Sequence, residues 1–105
     1  MSKKFSNELS DAQAERLSIL LEEMGEALQC IGKIQRHGYE SYNPVVSRGL
    51  TNRRDLEREL GHVSSAIKML ADVRDINMEG VKQSMVEKGE SIRRWLHHQE
   101  APCPK

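Results

Sequence analysis

Leu20-Leu21-Glu22-Glu23-Met24-Gly25-Glu26-Ala27-Leu28 and, further along, Leu56-Glu57-Arg58-Glu59-Leu60-Gly61-His62-Val63 are the two segments on which the reading of this chain turns. Both are helix-sized, and both carry acids where a helix normally carries core. Glu23/Glu26 and Glu59/His62 are i,i+3 pairs, so each pair projects from one face of its helix. At about 100° per residue, Leu17, Leu20, Leu21, Met24, Leu28 and Ile31 form a main apolar stripe on the first helix. Ile19, Cys30 and Ile34 form a second stripe beside it, with Glu23 and Glu26 in its middle. On the later helix Leu56, Leu60, Val63, Ile67 and Leu70 make the main stripe. Glu59 and His62 begin a flanking one that Ala66, Met69 and Val73 continue. Surface acids ordinarily fall opposite the apolar face, and solvated glutamates bordering a core are the plain alternative. A buried anion is costly without a positive partner, and facing carboxylates repel. A divalent metal ion answers both problems.

Composition bounds what such a chain can be. Its 105 residues suffice for one domain. Lys+Arg and Asp+Glu both number 16, which leaves no formal net charge and argues against a nucleic-acid binder. One Trp, two Tyr and one Phe offer little for base stacking. No apolar run approaches the ~20 residues of a membrane helix, and residues 1–7 lack a signal-peptide hydrophobic region. Cys30 and Cys103 provide neither a disulfide framework nor zinc spacing. The expectation is a cytoplasmic protein with no membrane partner.

The chain order reads as all-α. Residues 1–9 form a polar arm, and Ser10 or Asp11 caps a long helix to about Arg36. Gly38 ends it, and the stretch to Leu50 carries the Gly, Asn-Pro and Ser-Arg-Gly punctuation of a loop. Thr51 or Asn52 caps a second helix to about Arg74. Asn77 caps a third, with Val81, Met85, Ile92, Trp95 and Leu96 as its apolar positions and Trp95 assigned to the core. Residues 10–98 make the helical domain, and the Pro-containing stretch 99–105 is a tail. One short third helix cannot cover the apolar stripes of two long ones, and exposed faces of that extent mark interfaces. Gly25 and Gly32 each weaken the first helix by about 1 kcal/mol relative to Ala. Close helix–helix approach is one account of them, and ordinary tolerance is the other. The expected architecture is a helical hairpin plus a third helix, with a four-helix-bundle core completed by a homodimer or dimer of dimers.

The ordered motifs resemble the MazG-like, all-α nucleoside triphosphate pyrophosphohydrolases. Glu22-Glu23-Met24-Gly25-Glu26 matches the family's E-E-x-x-E, and Glu59-Leu60-Gly61-His62 matches its E-x-x-D except at the last position. The likeness continues through Lys33-Ile34-Gln35-Arg36-His37-Gly38, Tyr42-Asn43-Pro44, Thr51-Asn52-Arg53 and Val86-Glu87-Lys88, spanning roughly residues 17–98. The resemblance implies metal-dependent cleavage of a nucleoside triphosphate between its α and β phosphates. It implies that Glu23, Glu26 and Glu59 hold Mg²⁺, or Mn²⁺, with His62 at the fourth ligand position. Glu22 is left to position the attacking water or a second metal, so the implied catalytic group is Glu22, Glu23, Glu26 and Glu59. Mg²⁺ suits such a set because it takes hard oxygen ligands and keeps several waters.

His62 departs from the family pattern. Imidazole in place of carboxylate removes a negative charge and supplies a ligand better suited to Mn, Fe or Zn. Three outcomes stand open: altered metal preference, weakened activity, or a scaffold without catalysis. A histidine on an apolar stripe is also an ordinary hydrogen-bonded core residue.

Triphosphate binding requires cations. Lys33, Arg36 and His37 close the first helix; Arg48, Arg53 and Arg54 surround the loop; Lys88, Arg93 and Arg94 come late. Basic residues at a helix C-terminus also complement its dipole. Lys33, Arg36, Arg53 and Lys88 are the substrate-binding candidates, although Gly89 stands where the family often has asparagine. Two other classes compete: a non-catalytic interaction or regulatory protein on the same scaffold, and a di-iron helical bundle, which also uses Glu-x-x-His pairs.

Overall fold

The computed structural model describes residues 6–43, 45 and 49–99. Most of the expected arm and tail, together with Pro44, Arg48 and Cys103, lies outside the described residues. Among the described residues there are three α-helices and no strand: α1 (Asp11–His37), α2 (Asn52–Asp72) and α3 (Met78–Ser91), followed by a single 3₁₀ turn, Ile92–Trp95. None of these helices is long and apolar enough to cross a membrane.

Local chemistry sets each boundary. Ser10 Oγ accepts from the Gln13 N–H at 3.0 Å while Gln13 Oε1 accepts from the Ser10 N–H at 2.9 Å, a reciprocal capping box. Thr51 Oγ1 accepts from the Arg54 N–H, and Asn77 Oδ1 from the Glu79 N–H. The α1–α2 connection is tied to the start of α2. The N–H groups of Asn52 and Arg53 donate to the Ser41 and Tyr39 carbonyls at 2.8 Å, and Asn52 Nδ2 donates to the Gly38 carbonyl. These bonds satisfy helix-end donors that would otherwise be orphaned.

α1 and α2 pack as an antiparallel hairpin. The less exposed positions of α1 include Arg16, Leu20, Glu23, Ala27, Cys30 and Ile34; those of α2 include Asn52, Leu56, Glu59, Val63, Ala66 and Leu70. Both sets run in alternating steps of four and three, the spacing of a seam between two helices. This corrects the expected core of α1, whereas on α2 Leu56, Val63 and Leu70 of the expected main stripe do lie in the seam. The seam follows the stripe that contains the acids, because Ala27, Cys30 and Ala66 are small enough for the helices to approach there. The main leucine stripe of α1 faces outward, with Leu21 74% and Leu28 68% exposed. A Cβ added at Gly25 or Gly32 would meet nothing within 4 Å, so neither glycine serves close approach within the chain.

α2 ends in a paired-carbonyl cap, with Arg74 N–H donating to the Ala71 carbonyl and Asp75 N–H to that of Leu70. Arg74 accordingly sits at φ 65°. This turn delivers Asp75 to Arg16, whose Nε and Nη2 donate to the two carboxylate oxygens at 2.6 and 3.1 Å. The third helix has no buried residue. Trp95, expected in the core, is 74% exposed, and Leu70 alone among the described side chains is fully buried. The radius of gyration is 18.5 Å, against about 13 Å for a compact domain of this length.

The hydrogen bonds and charge of Arg16, opposed by desolvation, hold the Asp75 carboxyl below the usual aspartate range. A carboxylate depressed in the folded state adds stability above its unfolded pKa of about 3.9 and loses it as pH falls through the folded value. Asp75→Asn should therefore lower the melting temperature at pH 7, while the two proteins converge as the pH falls through the depressed folded value. Identical melting curves at neutral pH would show the pair to be inert.

Candidate metal centre and anion cleft

The seam geometry brings four of the sequence candidates together. Glu23 and Glu26 from α1 meet Glu59 and His62 from α2, and one ligand atom from each lies within 4.8 Å of the others. Ligand atoms at about 2.1 Å from one ion stand about 3.0 to 4.2 Å apart. His62 Nδ1 is 3.4 Å from Glu23 Oε2 and 3.4 Å from Glu59 Oε2. It hydrogen-bonds to neither, and both oxygens are buried without a partner. Glu59 is only 4% exposed. Its other oxygen, Oε1, pairs with Arg58 Nη2 at 3.0 Å, and a second bond from Arg58 to Asp55 steadies that guanidinium. Glu59 is thereby fixed with Oε2 turned toward the cluster.

Unsatisfied buried polar atoms cost about 1–3 kcal/mol each, and more when charged. The Glu26 carboxyl shows the strain of the arrangement. It is pushed up from the usual range first by a proton-sharing contact with Glu59, then by the Glu59 charge and by burial, against the opposing pull of His62 and Arg58. Three hard oxygen donors, an imidazole nitrogen and two orphaned buried oxygens fit a divalent cation. Glu22, also expected at the site, is exposed and outside this group of four.

Beside the cluster lies a cleft of about 910 Å³, within the range of small-molecule sites. Glu26, Lys33 and Arg36 line it from α1, Asp55, Arg58 and Glu59 from α2, and Tyr42 and Asn43 from the connection. Lys33 and Arg36 have no ion-pair partner among the described residues. The cleft therefore holds a carboxylate centre together with two cations that have no ion-pair partner among the described residues.

Two expected substrate residues are placed elsewhere. Arg53 donates to Glu40 at 2.6 Å and lies over the Tyr39 ring at 4.4 Å, so its guanidinium braces the loop and does not line the cleft. Lys88 lies on α3 in a separate, mainly apolar groove with Val81, Met85 and Ile92. Asp55 and Arg58 were not singled out in the sequence. Their signal was an Asp-x-x-Arg pair immediately before Glu59. Cys30, read as a small core residue, is buried and donates to Asp55 at 3.5 Å. Burial and the Asp55 charge push its thiol up to about 11.

Comparison with protein-family models, curated proteins and solved structures yields no match, so the site is interpreted from its own chemistry.

Removing one carboxylate charge without changing side-chain shape should relieve repulsion in the cluster. Glu26→Gln is expected to raise the melting temperature in chelator and to reduce the further rise caused by added divalent metal. A lower melting temperature in chelator would mean that the carboxylates are already compensated.

Proposed function

We propose that this protein is a metal-dependent pyrophosphohydrolase that converts a (d)NTP to the (d)NMP and pyrophosphate. The carrying observation is the adjacency of the Glu23–Glu26–Glu59–His62 cluster to a cleft with Lys33 and Arg36, which have no ion-pair partner among the described residues. Glu23, Glu26 and Glu59 are assigned to Mg²⁺ or Mn²⁺, with His62 at the fourth position. A bound dication would offset triphosphate charge and orient or activate water. Lys33 and Arg36 supply point and bidentate contacts to phosphate oxygens. Arg58 keeps Glu59 in place, and Glu22 is left to position the attacking water or a second metal. In the reaction the water oxygen bonds to the α-phosphorus, and the bond to the α–β bridging oxygen breaks. Pyrophosphate leaves with that electron pair, and the water proton passes to a base.

The functional unit in this reading is a cytoplasmic homodimer, or a dimer of dimers, in which the paired long helices α1 and α2 of two copies form a four-helix bundle. The exposed leucines and the extended shape support it. The balanced charge supports the absence of a nucleic-acid partner. An interaction or regulatory role on the same scaffold is favoured by one specific feature, the size of those apolar faces.

Pyrophosphate release from a panel of dNTPs and NTPs should be metal-dependent, and Glu23→Gln should reduce turnover by about 100-fold or more while helicity is retained. Wild-type turnover in that variant would refute the assigned centre; no release from any triphosphate would favour the regulatory role. Sedimentation should give at least a dimer at micromolar concentration, and a compact monomer there would contradict the assembly.

A further inference from the structure

The donor set of the seam is asymmetric. α1 brings two carboxylates, whereas α2 brings one carboxylate and one imidazole, three residues apart on the same face. His62 Nδ1 stands at 3.4 Å from each of the two orphaned oxygens, so it occupies a ligand position among them. The Glu59 side chain is 5% exposed, and its unpartnered Oε2 is aimed into the same space. Cys30 donates its thiol to Asp55 and lies outside the group, which leaves nitrogen and oxygen as the only donor types.

Mg²⁺ takes oxygen ligands almost exclusively and gives up water reluctantly. First-row transition dications accept imidazole readily, and their affinity for a mixed nitrogen–oxygen site rises from Mn²⁺ through Co²⁺. We infer that the seam site is selective for transition dications over Mg²⁺, with His62 as the residue that makes the selection. This rests on the metal-centre reading above and is independent of the reaction assigned to it. The imidazole also lowers the negative charge of the site by one, which weakens the hold on a hard, strongly hydrated ion. Both effects act in the same direction.

The full-length protein, stripped of metal, is titrated calorimetrically with Mg²⁺, Mn²⁺, Co²⁺ and Zn²⁺ as wild type, His62→Asp and Glu59→Gln. The imidazole ¹⁵N resonances of the wild type are followed during the Zn²⁺ titration. Glu59→Gln is nearly isosteric and reports whether binding occurs in the seam, apart from exposed His97 and His98. Wild type is expected to bind Co²⁺ and Zn²⁺ at least about tenfold more tightly than His62→Asp, with the His62 nitrogen signals displaced by Zn²⁺. Mg²⁺ is expected to bind His62→Asp at least as tightly as wild type. Equal affinities in wild type and His62→Asp, or His62 resonances unmoved by Zn²⁺, would overturn the selectivity and leave the metal centre standing. No Glu59-dependent binding of any ion would overturn both.

Discussion

A glutamate enclosed between two helices must find positive charge, and this hairpin encloses Glu59 with Glu23 and Glu26 close by. Glu23 and Glu59 are not at the edge of the seam but on its repeat, between Leu20 and Ala27 on α1 and between Leu56 and Val63 on α2, with Glu26 beside them. A methylene-rich residue at these positions would have given an ordinary two-helix core. The chain instead commits the middle of its contact surface to repelling groups. Arg58 neutralises one side of Glu59 and leaves the other directed inward. The rest of the hairpin supports this arrangement: small residues Ala27, Cys30 and Ala66 keep the helices close, and a pair at each end holds their register. Arg16 with Asp75 closes one end, and Asn52 with the Gly38 carbonyl closes the other.

The same choice explains what the hairpin leaves uncovered. Because the acidic stripe is used for the internal seam, the larger leucine stripe of α1 is left outward. α3 stands away from both long helices and offers Val81, Met85 and Ile92 along its own groove. The exposed leucine face of α1 and the groove along α3 are apolar surface of the kind that marks interfaces. The cleft lies on neither face. It opens beside the seam, where the first residues after α1 fold back onto the start of α2 and set Tyr42 and Asn43 near the cations of the α1 terminus.

Much of this was legible in the residues. Ser10, Thr51 and Asn77 mark helix starts through short side chains that accept backbone N–H groups, and the helix ends fall within a residue or two of Gly38 and Arg74. The convergence of Glu23, Glu26, Glu59 and His62 followed from their i,i+3 spacing on two consecutive helices. The choice of seam was not legible. Periodicity reports which residues share a face, but the larger stripe is not always the one used within a chain; steric closeness at Ala27 and Ala66 decided it. Trp95 illustrates the same limit, since its apolar character says nothing of whether the covering surface belongs to its own chain. The pairing of Arg53 with Glu40 and Tyr39 could not be read in advance, because it depends on how the loop folds back, which no local pattern encodes. Asp55 and Arg58 act through Glu59, so their roles emerge only once that side chain has a position.

Whether the carboxylates in the seam hold a divalent ion is read from anomalous diffraction of crystals grown with Mn²⁺. A manganese peak in each chain, within coordination distance of Glu23, Glu59 and His62, is the predicted result. Manganese found only on surface acids, with Glu23 Oε2 and Glu59 Oε2 bridged by water or by each other, would contradict it.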